Sequence, residues 1–324
     1  MKSIIYSGVE PPPLLRVIVN AYSLQDVNII ANNVHDYYIA GIRIFHETDN
    51  LLLLLLKVKE GLRSHICQDV LGELGVKSNI PTSDAKIAVS LFREAKFKNS
   101  NNSANVYREI CKEFQINANL IPFTSGEISA KVKTEIGELS LLEYFLAKKE
   151  INIQKVEFTG LDKAKPHEQI GNIIRGSEYV LIMPNDPVSI IPITKNKTVQ
   201  DAMKNCEGHV TIISPPITSR SASLLKALDI QPTPLGVAKL FEELVDTFII
   251  DTGYQEIKPQ IEKLKIEVIT TKLEKTDYEY DSTLPKAIQT LFPLESGKPS
   301  VIRTLKKGVK MLRDVIGSQK STEE

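Results

Sequence analysis

The chain has 324 residues, and its 40 Lys+Arg balance 40 Asp+Glu, so no general electrostatic attraction to nucleic acid or to an anionic membrane is expected. The length suffices for a large α/β domain with a sizeable core. Cys67, Cys111 and Cys206 are widely spaced and form no Cys-x-x-Cys pair, which reads as buried free thiols in a reducing cytosol. The N-terminus turns polar too early for a signal peptide, and the leucine run Leu51 to Leu56 is far short of a membrane span, so a cytoplasmic protein is expected.

Ile4 to Tyr6 reads as a first short strand. Ser7-Gly8 ends it where a nucleotide-binding chain carries a glycine-rich loop. Here that loop continues Val9-Glu10-Pro11-Pro12-Pro13: prolines supply no N–H, and Glu10 brings negative charge to a place that should attract phosphate. A helix over Leu14 to Tyr22, a strand over Val27 to Ala31 and a long loop from Asn32 to Gly41 follow. Leu51 to Val58 predicts a core helix with Asp49 or Asn50 as its N-cap. Further helices are predicted over Leu62 to Leu74, Ser83 to Phe97, with Ser83 as N-cap, and Asn105 to Phe114. They make a helical subregion spanning about residues 50–115 beside the cleft.

Ala118 to Ile121, Glu127 to Thr134 and Gln154 to Phe158 read as strands with a helix at Leu141 to Lys148, a mixed or antiparallel appendage. The αβ rhythm resumes at Pro166. Tyr179 to Met183 and Val210 to Ile213 are short, wholly apolar runs, suited to parallel strands buried on both faces, and Lys197 to Cys206 is their crossover helix. In such sheets ligands bind at the carboxyl ends of the strands, which here brings forward Asn185, Asp186 and Ser214, although the same residues also make ordinary turns. A helix follows at Ser219 to Leu228, and a proline-led helix from Pro234 delivers the strand Phe248 to Ile250. Lys265 to Ile269 is one more strand, and helices are predicted at Leu284 to Leu291 and Val301 to Ile316. The fold class is therefore α/β with a mainly parallel central sheet, helices on both faces and a C-terminal helical extension over 276–324. Residues 319–324 are expected to be a disordered tail. The helix at 301–316 is expected to dock, on its own domain or on a second subunit in a homo-oligomer.

These stretches resemble the 2-phospho-L-lactate transferase family. Pro184-Asn-Asp-Pro-Val-Ser-Ile-Ile-Pro-Ile193, Ser214-Pro215, Leu228-Asp-Ile230, Pro234-Leu-Gly-Val-Ala238 and Asp246-Thr-Phe-Ile-Ile-Asp251 follow the family's order. Upstream, Asp36, Gly41, Ile42, Arg43, Asp49, Asp84 and Arg93 fall on its motifs, and the likeness runs over residues 2 to 275. The resemblance implies transfer of a phospholactyl-type group from a guanosine diphosphate carrier to the ribityl hydroxyl of a deazaflavin, with release of GMP, on the way to coenzyme F-420. It implies Asp36, Asp49 and Arg93 as catalytic, with Mg²⁺ held by Asp36 and Asp49. It further implies Ser7, Gly8, Asn185, Asp186, Ser214 and Gly236 at the nucleotide, and Arg43, Asp49 and Asp84 at the deazaflavin.

The departures fall on the site itself. The family's Gly-Gly-Thr-Gly is Ser7-Gly8-Val9-Glu10-Pro11, the first aspartate of its Asp-Asp pair is His35, and a later aspartate is Lys86. Three functions therefore compete. The first is a working transferase. The second is a non-catalytic paralogue that keeps the cleft to bind a nucleotide, a deazaflavin or a partner protein, with Lys86, Arg93 and Arg220 holding phosphate without metal. The third, ranked last, is an enzyme of another class built on His35.

Overall fold

The computed structural model describes residues 1–57, 64–97, 102–273 and 283–293. The helix expected at 301–316 and the tail at 319–324 lie outside them. In chain order the elements begin β1 (Lys2–Ser7), α1 (Pro13–Ala21), β2 (Val27–Ala31), β3 (Tyr37–Ile39), β4 (Ile42–Ile44), α2 (His46–Leu55), α3 (Ile66–Glu73), α4 (Asp84–Phe97) and α5 (Ser103–Glu113). They continue β5 (Asn119–Pro122), β6 (Ser129–Thr134), β7 (Gly137–Ser140), α6 (Leu141–Leu146), β8 (Ile153–Thr159), α7 (Glu168–Arg175) and β9 (Tyr179–Pro184). The remainder is α8 (Ile191–Thr194), α9 (Lys197–Lys204), β10 (His209–Ile213), α10 (Ser219–Ala227), α11 (Pro234–Lys239), β11 (Thr247–Asp251), α12 (Lys258–Glu262), β12 (Glu267–Thr271) and α13 (Thr283–Leu291).

The central sheet has seven strands in the order β12-β11-β10-β9-β1-β2-β5, and all its pairings are parallel. Because side chains alternate along a strand, each strand feeds two cores. Ile5, Ile30, Ile182 and Phe248 belong to one apolar cluster, which also takes Ile170 and Ile174 of α7 and Leu224 and Leu225 of α10. Ile4, Tyr6, Ile29 and Leu181 belong to the other, with Leu15 of α1, Leu51 of α2, Tyr107 of α5 and Ile288 of α13. Helices thus cover both faces, as the continuous apolar runs predict. No helix among the described residues is long and apolar enough to cross a membrane.

β6, β7 and β8 form the expected antiparallel appendage, a separate three-stranded sheet in the order β7-β6-β8. Two local expectations fail for identifiable reasons. The loop predicted over residues 32–41 contains half of a hairpin, β3–β4, whose turn residues Ala40 and Gly41 both have positive φ. An alanine there hides the usual Asn-Gly signal. Helix α2 starts at His46 rather than near residue 51, so neither Asp49 nor Asn50 is its N-cap. The hairpin packs with α3 and α4 in a small third core containing Tyr37, Ile44, Ile80 and Ile87.

Strands β1 and β9 are neighbours whose connections leave in opposite directions, β1 towards β2 and β9 towards β10. The carboxyl edge of the sheet at this switch point is where such folds place ligands.

Candidate functional site

Gly8 follows β1 directly, and Asn185 follows β9. The N–H of Asn185 donates to the Ser7 carbonyl at 2.8 Å, bringing the two strand ends so close that a Cβ on Gly8 would lie 2.4 Å from the Asn185 Cβ. With φ of +145°, Gly8 occupies a backbone conformation that L side chains rarely adopt. The glycine is therefore required by the approach of β9, whatever it does for a ligand. The next residue, Val9, is tied to α2: its carbonyl accepts from His46 Nε2 at 2.7 Å and from Asn50 Nδ2 at 2.9 Å. Glu10 is half exposed and lies 3.8 Å from Arg16.

Beyond β2 and β9 lies a buried polar shelf. Asn32 Nδ2 donates to Ser7 Oγ at 3.0 Å and to the Ser189 carbonyl at 2.5 Å. Asp186 does not face an open cavity. Its carboxylate accepts from the N–H groups of Val188 and Ser189 at 2.9 and 2.8 Å and from the Ser189 hydroxyl. With its hydroxyl proton given to Asp186, Ser189 Oγ accepts from His35 Nε2 at 2.7 Å. His35 Nδ1 then has no hydrogen-bond partner among the described residues, and burial pushes the ring's pKa down to about 3, leaving it neutral.

Asp36 sits beside this relay. One of its oxygens receives Arg43 Nε at 3.1 Å, Arg43 Nη2 at 2.9 Å and Asn33 Nδ2 at 3.0 Å, and the other accepts the His46 N–H at 3.0 Å. Burial raises its pKa to about 6 against the opposing pull of Arg43. Arg43 spends four of its five N–H donors within the protein, since it also donates to the carbonyls of Ser125 and Gly126 at 2.8 and 2.6 Å.

Asp49 and Arg93, expected to be catalytic, are engaged with each other. Both side chains are fully buried between α2, α4 and α5. Arg93 Nη1 reaches the two Asp49 oxygens at 2.8 and 2.6 Å, and Tyr107, Ser90 and the Phe45 N–H complete the coordination of the carboxylate. This is a core ion pair with every acceptor filled, and a substrate or metal would first have to dismantle it. Asp84 is likewise occupied, accepting from the Ser64 hydroxyl at 2.5 Å and the Cys67 N–H at 2.9 Å at the start of α3. Gly236 has a packing reason to be glycine: a Cβ there would lie 2.0 Å from the Gln231 carbonyl oxygen, and its N–H is capped by Thr233 at 3.2 Å. Arg220 donates to the carbonyls of Phe145 and Ala147 and is thereby committed to α6.

These engagements bear on magnesium. Mg²⁺ favours carboxylates whose oxygens are open to it together with several waters. Asp36 and Asp49 present theirs to arginines, and no group of three His, Cys, Asp or Glu able to hold a metal occurs among the described residues. The residues in this arrangement do not fit the ion.

Sequence reasoning passed over Glu47. It is fully buried at the first turn of α2, neither carboxylate oxygen has a hydrogen-bond partner among the described residues, and burial, then the charge of Asp36, pushes its pKa well up. His46, next to it, is held neutral by burial and by Lys86, whose Nζ lies 3.4 Å from His46 Nδ1. The available signal was His46-Glu47-Thr48-Asp49, polar residues running straight into the leucines. All four are buried in the structure.

On the other side of Asn185 the carboxyl edge opens into a cavity of about 570 Å³ over β9 to β12, bounded by the starts of α1 and α11. Of the residues expected at the nucleotide, Asn185 and Ser214 line it; Ser7, Gly8, Asp186 and Gly236 are not among its lining residues.

Comparisons with known proteins point to one family. A sequence model of the family described as 2-phospho-L-lactate transferase CofD matches residues 12–283. The chain is 22% identical over 304 residues to the 2-phospho-L-lactate transferase of Methanosarcina barkeri, covering 89% of this chain and 98% of that protein. It is 26% identical over 265 residues to the 2-phospho-L-lactate transferase of Methanospirillum hungatei, covering 78% and 89%. Among solved structures, a member of the UPF0052 family from Bacillus halodurans is similar with a TM-score of 0.58 at 15% identity, covering 89% of this chain and 98% of that one, a likeness of fold alone.

Proposed function

Since this chain belongs to the 2-phospho-L-lactate transferase CofD family, we propose that it moves a phospholactyl-type group from a nucleotide-linked donor to the hydroxyl of a deazaflavin-type acceptor. The observation that carries this reading is the cavity at the switch point, which opens beside Gly8 and Asn185 and is lined by Ser214 at the end of β10. In the transfer the acceptor oxygen attacks phosphorus, a new P–O bond forms, and the P–O bond to the departing nucleoside monophosphate breaks. The hydroxyl proton needs an acceptor. Solvent water at the open cavity can take it; His35, although neutral with Nδ1 unpartnered among the described residues, is buried on the shelf and does not line the cavity.

A second reading, a binding module without turnover, is favoured by the arginine pairing of Asp36 and Asp49. One assay separates the two: the purified protein is supplied with guanosine-linked phospholactate and a deazaflavin, and GMP is measured. Release that depends on the acceptor supports the transferase; donor binding without release supports the module.

A further inference from the structure

Among the described residues, none of the 8 positions of α3 is buried. The helix rests on the third core through Cys67 and Leu71, which are half-buried beside Ile87 of α4. Its other side presents Ile66, Val70 and Leu74, which are 67%, 48% and 76% exposed. Residues four apart lie above one another on a helix, so these three form an apolar column, and Asp69 and Glu73, also exposed, stand beside it. α4, on which α3 packs, turns Leu91 and Phe92 to solvent as well. Scattered apolar side chains on a surface are ordinary. Three in register on a helix too short to hold itself in water are not, because such a helix depends on packing for its stability.

The chain carries a segment of complementary pattern. The family model ends at residue 283, and the described chain ends at Pro293, just after Ile288 and Phe292 have packed into the apolar cluster that also holds Val89 and Phe97 of α4. Beyond it, Val301, Leu305, Val309, Leu312 and Ile316 recur in the sequence at helical spacing, with Lys306 and Arg313 together on one flank of that column. Residues 301–316 carry Arg303, Lys306, Lys307, Lys310 and Arg313 against one acid, Asp314. Residues 294–300 reach about 25 Å when extended, against a helix diameter of about 10–12 Å, so the segment leaves on the side of the sheet where α4 lies and can pass around to its solvent face.

We infer that residues 301–316 dock as an amphipathic helix along the exposed column of α3, with their apolar side on Val70 and Leu74 and with Lys306 and Arg313 beside Asp69 and Glu73. The apolar contact supplies the affinity and the charges set the orientation, since exposed ion pairs contribute little on their own. Docked there, the segment braces α3 and α4 and, through the third core, the β3–β4 hairpin that carries Arg43 to Asp36. This holds for a transferase and for a binding module alike.

The test is hydrogen exchange of the full chain read by mass spectrometry. Leu305→Gln with Leu312→Gln makes the segment's column polar, and Val70→Gln does the same to α3; glutamine is chosen because it keeps helix propensity. Each should speed exchange of the α3 amides by about tenfold, the equivalent of one aliphatic side chain left unburied, while β9 and β10 exchange as in the wild type and show that the fold is intact. Combining the two should add little, because both break one contact. Asp69→Lys with Glu73→Lys should also speed exchange in α3, and adding Lys306→Glu with Arg313→Glu should slow it again, a rescue that a purely local role of the two acids would not give. Exchange in α3 that is unchanged by Leu305→Gln with Leu312→Gln overturns the inference. Protection of α3 that rises with protein concentration assigns the column to a second copy and overturns it too.

Discussion

The carboxyl edge of the sheet is divided between two regions with opposite chemistry. Beyond β2 and the turn after β9 it is a polar shelf, buried and closed, in which Asp36 and Asp186 are bound to protein partners, as Asp49 is in α2 behind it. Over β9 to β12 it is an open, proline-walled cavity whose lining, among the described residues, includes one charged side chain, Asp251. Gly8 and Asn185 stand at the boundary. The contrast teaches that acidic residues at the correct strand ends do not by themselves make a metal or substrate site. What decides is whether the fold has already given their lone pairs to something else.

The sharpest way to break the comparison is to attack the shelf where it is most committed. Asp49→Ala leaves the Arg93 guanidinium buried without its carboxylate, which should cost about 3–5 kcal/mol in urea unfolding, because an unpaired buried charge is far worse than a missing pair. If the variant instead keeps wild-type stability, Asp49 is not structural and its assignment to substrate or metal returns.

Gly8→Ala comes next, since it introduces a Cβ 2.4 Å from that of Asn185 at a φ of +145°. A loss of about 1–3 kcal/mol is expected. Ligand binding in the cavity should suffer with it, because Asn185 must move.

The buried histidine gives a pH signature confined to the shelf. His35 has a folded pKa near 3 against 6.5 unfolded, so below 6.5 the unfolded chain takes up a proton that the fold refuses. Its contribution is complete above pH 6.5 and is lost as pH falls towards 3, by about 1 kcal/mol over the first unit. Asp36 acts with the opposite sign. With its folded pKa near 6 against 3.8, it contributes stability at low pH that is lost as pH rises through 6. Between pH 4 and 6 the two oppose each other, so His35→Asn should make stability rise on acidification and Asp36→Asn should make it fall more steeply than in the wild type. Identical pH profiles in the two variants would show that neither group is buried as described.

The smallest effect is expected at Glu10, half exposed and 3.8 Å from Arg16. Glu10→Gln should change stability by less than about 0.5 kcal/mol and leave affinity for the guanosine-linked donor unchanged. A marked rise in that affinity would place the donor's phosphates at the proline loop.

The central sheet was legible because β1, β2, β9, β10 and β11 are short apolar runs, and parallel strands buried on both faces must be so. Asn185 and Ser214 were legible as residues at strand ends, because topology alone puts them at the edge. Asp49 was not legible. A family-like aspartate before a leucine run looks the same in sequence whether its partner is a ligand or an arginine 44 residues away. The packing reason for Gly236 was not legible either, since the Gln231 carbonyl that excludes its Cβ is a feature of packing rather than composition. Glu47 was hidden by its charge. Carboxylates are rarely buried without a partner, and only the structure shows this one enclosed.

The most direct test of the account is acceptor-dependent GMP release from guanosine-linked phospholactate, compared between the wild type and Asn185→Ala. The account predicts GMP released in step with modification of the deazaflavin, with the variant impaired mainly through a higher KM, as expected for a residue that holds the ligand rather than reacts. Donor that binds but yields no GMP at any acceptor concentration would contradict it and leave the protein a binding module.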